Sequence, residues 1–167
     1  MGKFLFGCFL CIPLLILITV RIVAFYTFSL DCGGYMKLAA HANSIELAAI
    51  QMEKVVDFAE QKHLTEGYCT IFLRQPKNDV GFWYQNMTTS LAELKMVNST
   101  TSSLERSNIL MKLRETLIDD SGESTSLNLP EGISIFPLNA TFFWFAIVFS
   151  VVACVGVAFM IVAVQEW

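Results

Sequence analysis

Two long runs without a charged side chain sit near opposite ends of the chain, and a patterned polar segment lies between them. Phe4 to Val20 is seventeen uncharged residues (FLFGCFLCIPLLILITV); Arg21 follows, and Ile22 to Leu30 is again uncharged. Ala140 to Val164 supplies twenty-five more (ATFFWFAIVFSVVACVGVAFMIVAV). A spanning helix needs about 20 predominantly apolar residues. The second run therefore predicts a span outright, and the first predicts one from about Phe4 to Phe28 that includes Arg21. An Arg at mid-bilayer costs roughly 2.5–3.5 kcal/mol. Arg21 stands roughly 10 Å from the end of its span, so its long side chain can reach the headgroups. The other reading pairs Arg21 with a carboxylate of a partner subunit.

Lys3 supplies only a small positive n-region and no A-x-A-like site follows the apolar run, which predicts a retained anchor rather than a cleaved signal. Gly2 heads no myristoylation motif, because position 6 is Phe. Phe25, Tyr26 and Phe28 mark one interface, Phe142 to Phe145 mark the same side on the second helix, and Trp167 marks the opposite face. Two spans place both flanks on one side and the middle segment on the other. Lys3 favours flanks inside.

The middle segment reads as helical. Leu38, Ala42, Ile45, Ala49, Met52, Val56 and Ala59 alternate at spacings of four and three, an a/d stripe, with Glu46, Glu53, Asp57 and Glu60 opposite. The helix is expected to end near His63, before Gly67. Tyr68 to Arg74 reads as extended and Gln75 to Asn78 as a turn. Asp79 is an N-cap candidate for a helix to about Val97, favoured by Trp83, Met87, Leu91, Ala92 and Leu94 over a hairpin pairing 69–74 with 80–84. Ser102 and Glu105 form a capping box for a helix to about Ile118, with Leu104, Leu110, Leu113 and Leu117 inward. Asp119 to Asn128 reads as an exposed acidic loop, and Pro130 to Pro137 as an extended connector. The fold class is thus mainly α: two transmembrane helices flanking a small bundle-like domain. The segments are residues 1–30 (first span), 31–129 (helical domain), 130–139 (connector) and 140–167 (second span and tail). The domain's own core is thin, so it is expected to pack on the helix continuations, the membrane or a partner.

Composition sharpens this picture. The 167-residue chain is 54% hydrophobic and 16% charged, with mean hydropathy +0.55, against about 25% charged in soluble domains. Every charged residue except Lys3 and Glu166 lies between Arg21 and Glu131. A net charge of −4 and a pI near 5.1 argue against nucleic acid as a partner.

Little chemistry is visible. Cys8, Cys11 and Cys154 fall in apolar runs and read as small apolar side chains; the Cys8-Phe-Leu-Cys11 spacing lies in the bilayer, an unsuitable setting for zinc. Cys32 and Cys69 are the candidate disulfide, given an oxidising compartment; the alternative is two thiols. His41 and His63 stand too far apart on one helix to share a metal. The acidic face lacks the E-x-x-H pattern of di-metal bundles and reads as solvated. No nucleophile, phosphate-loop or metalloprotease motif occurs. No catalytic residue, metal ligand or cofactor is therefore assigned, and the chain reads as no enzyme. Phe82, Trp83 and Tyr84 form the densest aromatic cluster outside the spans, either core packing or, with Arg21, an interface. Ala146, Ser150, Cys154 and Ala158 recur every four residues, a small-xxx-small stripe for helix–helix contact, received either by the first span or by another subunit. Asn86-Met-Thr, Asn98-Ser-Thr and Asn139-Ala-Thr are sequons that matter only in a eukaryotic lumen.

The stretches DCGGYMKLAAHANSIELA (31–48), LTEGYCTIF (64–72) and PKNDVGFWYQN (76–86), with the PEGISIFP connector, resemble an uncharacterised family of small bacterial two-span inner-membrane proteins. The resemblance covers about residues 30–97 and the connector. It implies an inner-membrane protein with both flanks cytoplasmic and a helical periplasmic domain. It implies no activity and no site residues, and it implies a hydroxyl residue where this chain has Cys69, which weakens the case for a disulfide. Together these readings predict a non-catalytic accessory or assembly subunit of a membrane complex. Its partners would be the lipid bilayer and other membrane subunits or a second copy. The alternative is a membrane-anchored sensory or ligand-binding module that signals through a partner, since almost nothing follows the second span.

Overall fold

A computed structural model describes residues 2–71, 74–119, 126–136 and 139–165. The protein is mainly α. Helix α1 is Gly2–Phe28, a π turn occupies Ser29–Gly33, and α2 is Gly34–Ala40. Together they form one helical stretch, Gly2–Ala40. Then come α3 (Ile45–Gln61), a 3₁₀ turn (Pro76–Asn78), α4 (Val80–Met96), α5 (Ser103–Leu117), β1 (Ile118–Asp119), β2 (Ser126–Leu127) and α6 (Asn139–Gln165). The stretch Gly2–Ala40 and α6 are both long and apolar enough to cross a membrane. The chain divides into two compact units: residues 1–24 with 138–167, and residues 25–137.

In the first unit α1 and α6 run antiparallel. Gly7 meets Gly156, the Phe6 ring meets Phe159 edge to face at 5.6 Å between centroids, and Arg21 lies over Phe142. Pro13 sits inside α1, which apolar helices tolerate when neighbours re-satisfy the freed backbone.

The second unit holds the core. The wide π turn takes more than four residues per turn, which brings Phe28, Cys32 and Met36 into line on the buried side. They join Met52 and Val55 of α3, Trp83 and Met87 of α4, and Leu113 and Leu117 of α5. The helix expected from Leu38 to Ala59 is two helices. The chain leaves helical geometry after Ala40 and restarts at Ser44, whose hydroxyl accepts from Leu47 N at 3.2 Å. The predicted stripe therefore survives only in α3, where Ile45, Met52, Val56 and Ala59 are buried, while Leu38 is exposed.

Helix α3 ends in a Schellman motif. His63 N donates to Glu60 O at 3.0 Å and Leu64 N to Ala59 O at 2.7 Å, with Leu64 fully buried. His63 occupies the left-handed position at φ 55°, where glycine is usual. His63→Gly is expected to raise stability by about 0.5–1 kcal/mol, read as an upward shift of the thermal midpoint.

Tyr68 and Asp79 form an isolated antiparallel bridge, and Cys69 N donates to Asn78 O at 3.1 Å. Residues 80–84 are helical, with Asp79 as N-cap accepting from Phe82 N at 3.1 Å; the hairpin alternative is not formed. Ala92 does not join the buried side of α4. Ser102 caps α5 through Glu105 N at 3.2 Å. Leu104 in its first turn is exposed, against expectation, while Leu113 and Leu117 are buried and Leu110 is half-buried.

The ends of the expected acidic loop pair instead, with Ile118 opposite Leu127 and Asp119 opposite Ser126. The expected connector is partly core: Ile133 and Ser134 are buried, and Asn78 Oδ1 accepts from Glu131 N at 3.1 Å. Phe72 and Leu73 of the expected extended segment, loop residues 120–125, Pro137 and Leu138 at the end of the connector, and Glu166 and Trp167 in the tail lie outside the described residues.

Candidate functional site

The first candidate is the surface of α6. A Cβ added to Gly7 would stand 2.5 Å from Gly156 O and 2.6 Å from Met160 Cγ; one added to Gly156 would stand 2.7 Å from Gly7 O. Real Cβ atoms do not approach that closely, so both positions require glycine. Beside this crossing, the Cys11 thiol lies 3.9 Å from Ala153 O and Cys8 Sγ lies 3.6 Å from Met160 Sδ. The buried face of α6 is thus Ala153, Gly156 and Ala163, with Met160 half-buried beside them.

This corrects one reading of the stripe Ala146, Ser150, Cys154 and Ala158. Ala146 is half-buried, but Ser150, Cys154 and Ala158 are exposed and do not receive α1. An i, i+4 ladder drifts by about 40° per step around a helix of 3.6 residues per turn. Spacings alternating three and four stay on one face, and 153, 156, 160, 163 is such a set. The intrachain seam was legible in that spacing, together with Gly7.

Arg21 is half-buried, its guanidinium 4.9 Å from the Phe142 ring centroid. This cation–π contact holds the charge near the aromatic end of α6. Phe82, Trp83 and Tyr84 do not form one patch, because consecutive helical residues point about 100° apart. Phe82 is exposed, Trp83 is buried against Phe28, and the Tyr84 hydroxyl donates to Glu60 Oε1 at 2.7 Å. That hydrogen bond, with minor help from desolvation, raises the Tyr84 hydroxyl above the ordinary tyrosine range. The acidic face of α3 is partly committed to α4 in this way, since Glu53 also pairs with Lys95 at 2.6 Å. Cys32 and Cys69 are both buried in the same core, and no disulfide joins them. Among the described residues, no three His, Cys, Asp or Glu side chains come together as a metal site.

The second candidate is a cleft of about 220 Å³ in the helical domain, beside the start of α4. Trp83, Met87 and Leu129 form its apolar wall, and Phe82 also lines it. Its polar groups come from four places in the chain, Thr116 of α5 among them. Lys77 and Asp79 flank the end of the 3₁₀ turn, Asn86 lies one helical turn beyond Trp83, and Asn128 follows β2. The Asn128 amide donates to Thr116 O at 3.3 Å. Lys77 pairs with Glu131 at the exposed rim. The Trp83 indole Nε1–H is sealed from solvent and has no hydrogen-bond partner among the described residues. An unmet buried donor costs about 1–3 kcal/mol.

No protein-family model, curated protein or solved structure matches this chain. The fold defines a mainly helical protein with two helices long and apolar enough to cross a membrane.

Proposed function

We propose that this protein is a non-catalytic, two-span integral membrane protein that serves as an accessory or assembly subunit of a membrane complex. In this reading it sits in a bacterial inner membrane, with the helical domain in the periplasm and the outer ends of α1 and α6 in the cytoplasm. The observation that carries it is the division of α6 into two smooth faces. One face, built on Ala153 and Gly156, is used by α1; the other, Ser150, Cys154 and Ala158, is left uncovered. In lipid, helices associate by close packing rather than by the hydrophobic effect, so an uncovered small-residue face is suited to a second helix.

The test is intact-complex mass analysis after gentle extraction at native expression level. A stoichiometric larger complex is expected, and the double variant Ser150→Leu, Ala158→Leu is expected to release this chain from it. Both positions are exposed, so the α1–α6 pair should stay intact. A lone 18.7 kDa species from the native protein would overturn the reading.

A further inference from the structure

We propose that the cleft beside Trp83 binds a small zwitterion, an α-amino acid with an apolar side chain. This inference does not rest on the assembly reading. Groups of both signs line one cleft with an apolar wall, and each polar group has unused capacity. Asp79 spends one carboxylate oxygen on the cap of α4, through Phe82 N at 3.1 Å; its other oxygen has no partner among the described residues and suits an ammonium. Among the described residues Asn128 donates to Thr116 O and its carboxamide oxygen accepts nothing, and Asn86 makes no hydrogen bond. These oxygens are further acceptors in the lining of the same cleft.

Lys77 suits a carboxylate. Its present partner Glu131 is reached across the solvent-exposed rim, with side chains 60% and 69% exposed, and such pairs contribute little. A ligand carboxylate can replace Glu131 at small cost. The apolar wall of Trp83, Met87 and Leu129 takes the side chain. At about 30 Å³ for each water, the cleft holds the volume of roughly seven waters, which is room for one amino acid.

The charge pair decides the class. A simple amine would use only Asp79, with Lys77 staying on Glu131, and a simple carboxylate would use only Lys77. The zwitterion alone meets both.

The experiment is calorimetric titration of the full-length protein in detergent micelles with L-leucine, with isoamylamine and isocaproate as its two half-ligands, and with glucose. Leucine is expected to bind saturably, and each half-ligand about tenfold or more weaker. Asp79→Asn should weaken leucine about tenfold while leaving isocaproate unchanged; Asn keeps the cap of α4. Lys77→Met should weaken leucine while leaving isoamylamine unchanged. Unaltered circular dichroism of both variants shows that neither loss is unfolding. Three results would overturn the proposal: no saturable heat with leucine at about 10 mM, leucine binding indifferent to both variants, or a half-ligand or glucose binding as tightly as leucine.

Discussion

Gly156→Leu is expected to force α1 and α6 apart and to lower the stability of the helix pair by roughly 1–3 kcal/mol or more. The backbones cross here with nothing between them. A Cβ on Gly156 would lie 2.7 Å from Gly7 O and 3.0 Å from Leu10 Cβ, and the first of these is backbone that cannot swing away. The whole Leu side chain has no vacant direction on that face. Unfolding of the full-length protein by SDS in mixed micelles, followed by tryptophan fluorescence, measures the change. Ser150→Leu adds the same bulk six residues earlier on an exposed face and should leave the SDS midpoint in place. Equal midpoints for Gly156→Leu and the native protein would show that the Gly7–Gly156 crossing does not hold the pair together.

Met36→Ala is expected to cost about 2–5 kcal/mol of the helical domain's stability. Met36 is fully buried on α2, in one cluster with Met52, Trp83 and Leu117. Against a typical domain stability of 5–15 kcal/mol, that loss lowers the thermal midpoint by many degrees. Leu38→Ala, two residues along and exposed, should change it little. A Met36→Ala protein as stable as the Leu38→Ala protein would mean that α2 is an appendage of the apolar helix and not part of the core.

Most of the helical domain was legible in its caps and apolar spacing. Asp79 and Ser102 start helices because their short polar side chains meet the amides of Phe82 and Glu105, and that chemistry is local. The break at residues 41–44 was less legible. His41, Asn43 and Ser44 interrupt a run whose apolar spacing continues unbroken, and periodicity alone does not register them. The π turn has no residue signature, since it arises where a long helix must keep Phe28, Cys32 and Met36 on one side. The two-residue β pair depends on partners seven and nine positions away. The α1–α6 seam follows spacings of three and four, so the four-residue ladder Ala146, Ser150, Cys154 and Ala158 does not mark it. The cleft is the least legible of all, because Lys77, Asn86 and Asn128 are brought together only by the tertiary fold.

The helix pair also carries a consequence in time. Its contacts join residues distant in sequence, with Cys8 and Met160 standing 152 positions apart. Ribosomes add about 5–20 residues per second, so roughly 8–30 s of synthesis separate the two halves of this seam. In the proposed membrane setting, α1 waits in the bilayer through that interval with Gly7, Cys8 and Cys11 uncovered. Any other helix with a smooth face can occupy it meanwhile, including α6 of a neighbouring copy. Exchange of α6 between newly made chains is therefore the error to which this architecture is most prone, and slower translation of residues 30–140 should increase it.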